Sequence, residues 1–253
     1  MELIANETLI HLYLLGVMIF AGIVHGSLGI GFPMVATPLI AVFLDVRLAI
    51  LMTLVPTVAV NVATIAGGTD QMRSIKEYAP MFLGAIAGSI IGAWMLAVMD
   101  PAPFRLALAL LIILYLFTGV NSSKYIEWLP HHNRAVMFGF GLAAGISGGI
   151  TNVMVAILII YFLSQPMTRS KMLPIFNICF LIGKVIQLAI LSFAGWVNLS
   201  LIYQSILPAV AALGGLWCGM KIGSQISKEI YKKMLHFLLV FLAIVLIGQF
   251  LLT

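Results

Sequence analysis

A chain of 253 residues that is 62% hydrophobic and 8% charged, with a mean hydropathy of +1.16, is not a soluble domain, because such domains carry roughly 25% charged residues. It reads as a polytopic membrane protein. The net charge of +5 comes from Lys and Arg scattered singly through short loops, which excludes the basic patch or tail of a nucleic-acid binder.

The first apolar run covers about 8–26, and the MELIANETL that leads into it holds two glutamates and no basic residue. It therefore lacks the positive start of a secretory signal, and the run is expected to stay in the protein. Further runs follow at about 31–44, 47–67, 78–99 and 102–121, then at 134–147, 150–164, 171–194, 201–222 and 233–252. Most approach the ~20 residues that a ~30 Å hydrocarbon layer requires, whereas 31–44 and 134–147 have fourteen each, about 21 Å of helix. The fold class is all-α, with ten hydrophobic segments. Cys179 and Cys218 lie inside apolar runs without partner histidines and read as packing residues, neither a disulfide framework nor a zinc site.

Displacing the sequence by 119 residues lays GSLGIGFPMVATPLIAVFL (Gly26 to Leu44) over GISGGITNVMVAILIIYFL (Gly145 to Leu163), and one residue of slip then pairs Pro56 with Pro174. The chain reads as one transmembrane domain made of two repeats, about 8–121 and about 134–252. Placing both termini outside puts Arg73, Lys76, Lys124, Arg134, Arg169, Lys171, Lys221, Lys228, Lys232 and Lys233 on the cytoplasmic side, against Arg47 and Arg105 opposite. Each repeat then makes an odd number of crossings, so the two are inverted, as in many secondary transporters. This holds whether the 8–44 and 134–164 pairs cross fully or are re-entrant.

Irregular backbone survives at membrane depth only where protein buries it or a hydrated cavity meets it. The first interruption, GSLGIGFP, leaves a helix starting after Gly31-Phe32 with Pro33 in its first turn; the second is expected after Gly148-Gly149, capped by Thr151 or Asn152. Two helix N-termini carry unpaired N–H groups and partial positive charge, which favours an anion. The competing reading is that these glycines only let helices approach closely.

All eight carboxylates fall in loops, at segment ends or in the N-terminal tail, whereas Lys184 lies well inside 171–194, too deep to snorkel. Asn177, Lys184 and Gln187 share a helical face, matched in the first half by Thr57, Asn61 and Thr64. The candidate anion-binding set is Ser27, Gly29 and Gly31 at the first interruption, Gly148, Gly149, Thr151 and Asn152 at the second, and Asn61, Asn177, Lys184 and Gln187 from the flanking segments. Lys184 supplies the charge there, or else bonds carbonyls freed at a helix break. His25 is either a proton-coupling group or a hydrogen-bonded structural histidine. The remaining histidines show no metal-ligand spacing, so no metal or cofactor is expected.

GIVHGSLGIGFPMVATPLIAVFLDVRLA resembles the glycine-rich first-repeat signature of the TauE/SafE family of sulfite and organosulfonate exporters, and AAGISGGITNVMVAILIIYFL its second-half counterpart. The likeness covers nearly the whole chain. It implies a bacterial or archaeal inner-membrane permease for a small sulfur-containing anion, with Gly29, Gly31, Pro38 and Leu39 carried over in the first repeat and Gly148 and Gly149 in the second. The chain departs from the pattern at Ile30 and Phe32, which interrupt the glycine run, and at Thr151-Asn152, where apolar or glycine residues are expected.

The leading function is thus a secondary transporter exporting a small anion by alternating access. Its partners are that anion, the lipid bilayer and, through lipid-facing helices, a second copy in a homodimer. An intramembrane lipid-phosphate enzyme would want a nucleophile beside a base or metal-binding acids, and the membrane carboxylates for it are missing. A channel or metal-ion permease would want acidic rings or clustered His and Met ligands, also missing.

Overall fold

The computed structural model describes residues 2–66, 76–120, 133–165, 169–222 and 228–251, and among these every regular element is a helix. In chain order they are α1 (Glu2–Leu28), α2 (Phe32–Ala41), α3 (Val46–Ala66), α4 (Ala79–Val98) and α5 (Ala102–Val120), then α6 (Arg134–Thr151), α7 (Val155–Leu163), α8 (Arg169–Phe193), α9 (Leu199–Gln204), α10 (Ile206–Ile222) and α11 (Lys228–Leu251). Among the described residues six stretches are long and apolar enough to cross a membrane: Leu9–Leu28, Val46–Ala66, Ala79–Val98, Arg134–Thr151, Lys171–Phe193 and Leu199–Ile222. The last joins α9 to α10, because backbone bonds run on through Ser205 with Ala209 N donating to its carbonyl at 3.0 Å. Each of the ten expected segments thus contains a helix. The loops carrying Arg73, Lys124, His131 and His132 lie outside the described residues.

Two seams of small residues hold the bundle. α1 lies against α10 through Gly22 and Gly26 facing Gly215 and Gly219, and α4 lies against α6 through Gly84, Gly88 and Gly92 facing Gly141, Gly145 and Gly149. A methyl group on Gly88 would sit 2.1 Å from the Leu142 carbonyl oxygen, and one on Gly26 2.2 Å from that of Leu216. Lipid supplies no hydrophobic force between helices, so this close backbone approach is what association rests on. The packing reading of the glycines is correct for these positions, Gly149 included.

The second interruption corrects the sequence reading. The 119-residue displacement carries Gly22 and Gly26 onto Gly141 and Gly145, which do the same packing. The breaks do not keep that displacement: α1 ends at Leu28 and α6 at Thr151, 151 − 28 = 123, so α6 runs one extra turn. The short second-half helix is consequently α7, with nine residues, while the run expected to be short belongs to the 18-residue α6. Neither Thr151 nor Asn152 caps the N-terminus of α7, whose N-cap is Met154. Thr151 closes α6, and Asn152 is its left-handed C-cap at φ 65, its N–H bonded to the Gly148 carbonyl. Asparagine is the residue after glycine that best tolerates that conformation.

At the end of α4 a clasp satisfies three carbonyls that the helix leaves open. Arg47 Nε donates to Leu96 O at 2.9 Å, its guanidinium also donates to Met99 O and lies 4.3 Å over the Trp196 ring, and Trp196 Nε1 donates to Ala97 O at 3.0 Å. Of the two cysteines, Cys179 is buried as expected for packing, whereas Cys218 is exposed on α10.

Candidate functional site

Both interruptions turn on left-handed residues. At the first, Gly29 (φ 77) and Gly31 (φ 108) reverse the chain between α1 and α2, a conformation that costs a side-chain-bearing residue roughly 1–2 kcal/mol. No side chain of the N-cap residue Gly31 closes α2; instead the Phe32 N–H points to His25 Nδ1 at 3.4 Å. On its other edge His25 Nε2 lies 3.2 Å from Thr64 Oγ1, and that hydroxyl also donates to Val60 O. A ring nitrogen that accepts an N–H carries no proton, so the neutral imidazole with hydrogen on Nε2 fits both contacts. Asn177 reaches this break from α8, donating to Gly29 O at 3.0 Å and to its own Leu173 O.

The second interruption gathers a different group. Lys184, 4% exposed, donates to Asn152 Oδ1 and to Gln187 Oε1, both neutral amide oxygens. Gln187 in turn donates to Gly149 O at 2.7 Å, at the end of α6. Asn152 spends its amide hydrogens on Thr53 Oγ1 at 2.8 Å and Thr37 Oγ1 at 3.0 Å, which ties the second break to α2 and α3. A buried charge is ordinarily paired with an opposite one, and breaking such a pair costs 3–5 kcal/mol. Among the described residues Lys184 has only neutral partners.

Beside it, α7 starts with no side-chain cap, and its N-cap residue Met154 packs at Gly148 and Gly183, next to Lys184. Ser89 of α4 reaches the same corner, its hydroxyl 3.1 Å from where a Gly183 side chain would start, and it is fully buried without a hydrogen-bond partner. Ser27, Thr53, Thr57, Thr64 and Thr151 all donate to a carbonyl one turn back; Ser89 does not.

The candidate residues thus fall into two clusters. Lys184, Gln187, Asn152 and the Gly149 carbonyl belong to the second break; His25, Asn177, Gly29 and Gly31 belong to the first. Asn61 donates to Thr57 O on its own helix at 2.8 Å and leaves a buried Oδ1 unpartnered. Thr151 bonds Ser147 O and the Val153 N–H, and Gly148 faces Met154. Ser27 donates to Ile23 O and to Gly219 O at 3.0 Å, which puts it on the α1–α10 seam. Pro38 and Leu39 lie in α2, where Tyr13 OH donates to the Leu39 carbonyl at 2.7 Å. Three residues of these clusters are absent from the sequence-derived set: Thr37, Thr53 and Ser89. Thr53 had a signal, because Thr53, Thr57, Asn61 and Thr64 continue a single helical stripe; Thr37 and Ser89 had none.

An all-helical chain with six stretches among the described residues long and apolar enough to span a bilayer, two of its apolar runs interrupted near a buried lysine, belongs among multi-pass membrane proteins. More narrowly, the chain belongs to the sulfite exporter TauE/SafE family, whose family model matches residues 14–246. That family consists of membrane transporters of sulfite and organosulfonate type. No curated protein and no solved structure matches the chain.

Proposed function

We propose that this protein exports a small sulfur oxyanion, sulfite or an organosulfonate, across the cell membrane, with the anion bound between Lys184 and the first turn of α7. The observation that carries this reading is the buried Lys184, whose amine has two neutral amide oxygens as its only partners among the described residues. An arriving oxyanion takes over from the Asn152 and Gln187 oxygens as the acceptor at Lys184. It also accepts from the uncapped start of α7 and from the idle Ser89 hydroxyl, donors of the kind that stabilise an oxyanion.

Alternating access follows from two inverted repeats that exchange helices, both termini outside. The reciprocal seams support this: the first helix of each half packs against the fourth segment of the other. Proton coupling falls to His25, because a protonated ring donates from both nitrogens and must give up the Phe32 N–H that starts α2. Two protomers meeting through lipid-facing helices form the working dimer.

The test is a thermal-shift titration of the purified protein against sulfite, thiosulfate, sulfoacetate, taurine and a carboxylate, followed by flux in proteoliposomes. A ligand that binds the folded state raises apparent stability. Sulfite or a sulfonate is expected to raise Tm and to move across the bilayer; stabilisation by cations alone would defeat the reading.

A further inference from the structure

One feature of the bundle lies apart from both interruptions. A cavity of about 370 Å³ opens between α5 and α11, lined by Ile113 and Leu116 on one side and by His236, Val240, Ala243 and Ile247 on the other. That volume is within the range of ligand pockets, and its lining is almost wholly apolar. Phe117, Phe237, Phe241 and Ile244 stand exposed in and around it, so the groove opens toward the bilayer.

The α11 stripe sets the length of the occupant. From His236 to Ile247 is eleven residues, about 16 Å of helix, which is half of a ~30 Å hydrocarbon layer. The groove therefore fits an acyl chain of one leaflet. Its charge sets the headgroup. Lys233 is exposed and lies one turn before His236 on the same face, spaced i, i+3. Beyond Lys233 the helix carries no charged residue to its end at Leu251, so this turn is where α11 passes from headgroups into hydrocarbon. Among the described residues no carboxylate lines the cavity.

We propose that the α5–α11 groove is a binding site for one anionic glycerophospholipid, its acyl chain along the Val240–Ile247 face and its phosphate between Lys233 and His236. A basic side chain near the membrane surface favours an anionic headgroup, and His236 adds a donor in either charge state. A second copy of the chain is the competing occupant, but a groove one leaflet long with a basic mouth matches a lipid in both length and charge.

The experiment uses the full-length protein in detergent, with native mass spectrometry and thermal shift during titration with phosphatidylglycerol or phosphatidylcholine of identical acyl chains. Wild type is expected to retain one phosphatidylglycerol per chain and to bind it at least fivefold more tightly than phosphatidylcholine. The double variant Lys233→Gln, His236→Gln should lose that preference and keep the weaker, headgroup-independent binding. Val240→Phe, which narrows the groove, should weaken both lipids. Because the charge variant changes only the exposed Lys233 and the half-buried His236 at the mouth, it keeps the test decisive should the groove variant fail to fold. Equal binding of the two lipids by wild type, or an unchanged preference in the charge variant, overturns the proposal. So does a groove variant that shifts the monomer–dimer balance in light scattering while retaining wild-type lipid binding, which would assign the face to a subunit contact.

Discussion

Replacing Lys184 by Met separates the charge from the packing, since the chain keeps its length and loses the ammonium. For an anion about 4 Å from the ammonium, at an effective dielectric of ~20, the attraction is about 4 kcal/mol. At 1.4 kcal/mol per decade the variant should bind sulfite about 1,000-fold more weakly. Stability moves differently. Asn152 and Gln187 each lose a donor, at ~1–3 kcal/mol per buried acceptor, while relief from burying an ammonium returns several kcal/mol. Lys184→Met is thus expected to fold with a Tm close to wild type and to show no sulfite-dependent rise. The assay is Tm against sulfite concentration, with counterflow in proteoliposomes at equal protein. Sulfite affinity within tenfold of wild type would place the anion elsewhere and refute the argument.

Asn152→Asp keeps the left-handed cap and puts a carboxylate against Lys184, so the protein should gain stability and lose its sulfite response, read in the same titration. Gly88→Ala is expected to break the α4–α6 seam and abolish the monodisperse peak on size exclusion, because its methyl would overlap the Leu142 carbonyl; Gly139→Ala, with nothing within 4 Å, should raise stability by up to ~1 kcal/mol. Arg47→Lys cannot reproduce the fork that serves Leu96 and Met99 beneath Trp196, and should lower Tm by a few degrees without changing sulfite affinity. His25→Gln should leave sulfite binding intact while making flux insensitive to an imposed pH gradient, measured in proteoliposomes.

Segment positions were legible because each apolar run is bounded by a charge, a proline or a glycine, and depth alone singled out Lys184. The second break was misplaced because Gly148-Gly149 look like an interruption, although Gly149 is a packing surface against α4 and an asparagine does the turning. Composition cannot distinguish a glycine needed for φ from one needed for proximity; only the neighbouring helix does. The partners of Lys184 were partly readable, since Gln187 is one turn away. Asn152 lies 32 residues back and Thr37 a further 115, contacts that only the folded bundle brings together.

α8 touches both breaks, through Asn177 at Gly29 and through Gln187 at Gly149, ten residues or about 15 Å apart on one continuous rod. A rod of that kind tilts or slides; it does not stretch. A shift of α8 at one turn-point is therefore carried to the other, so the two interruptions are joined mechanically although 120 residues of chain separate Gly29 from Gly149.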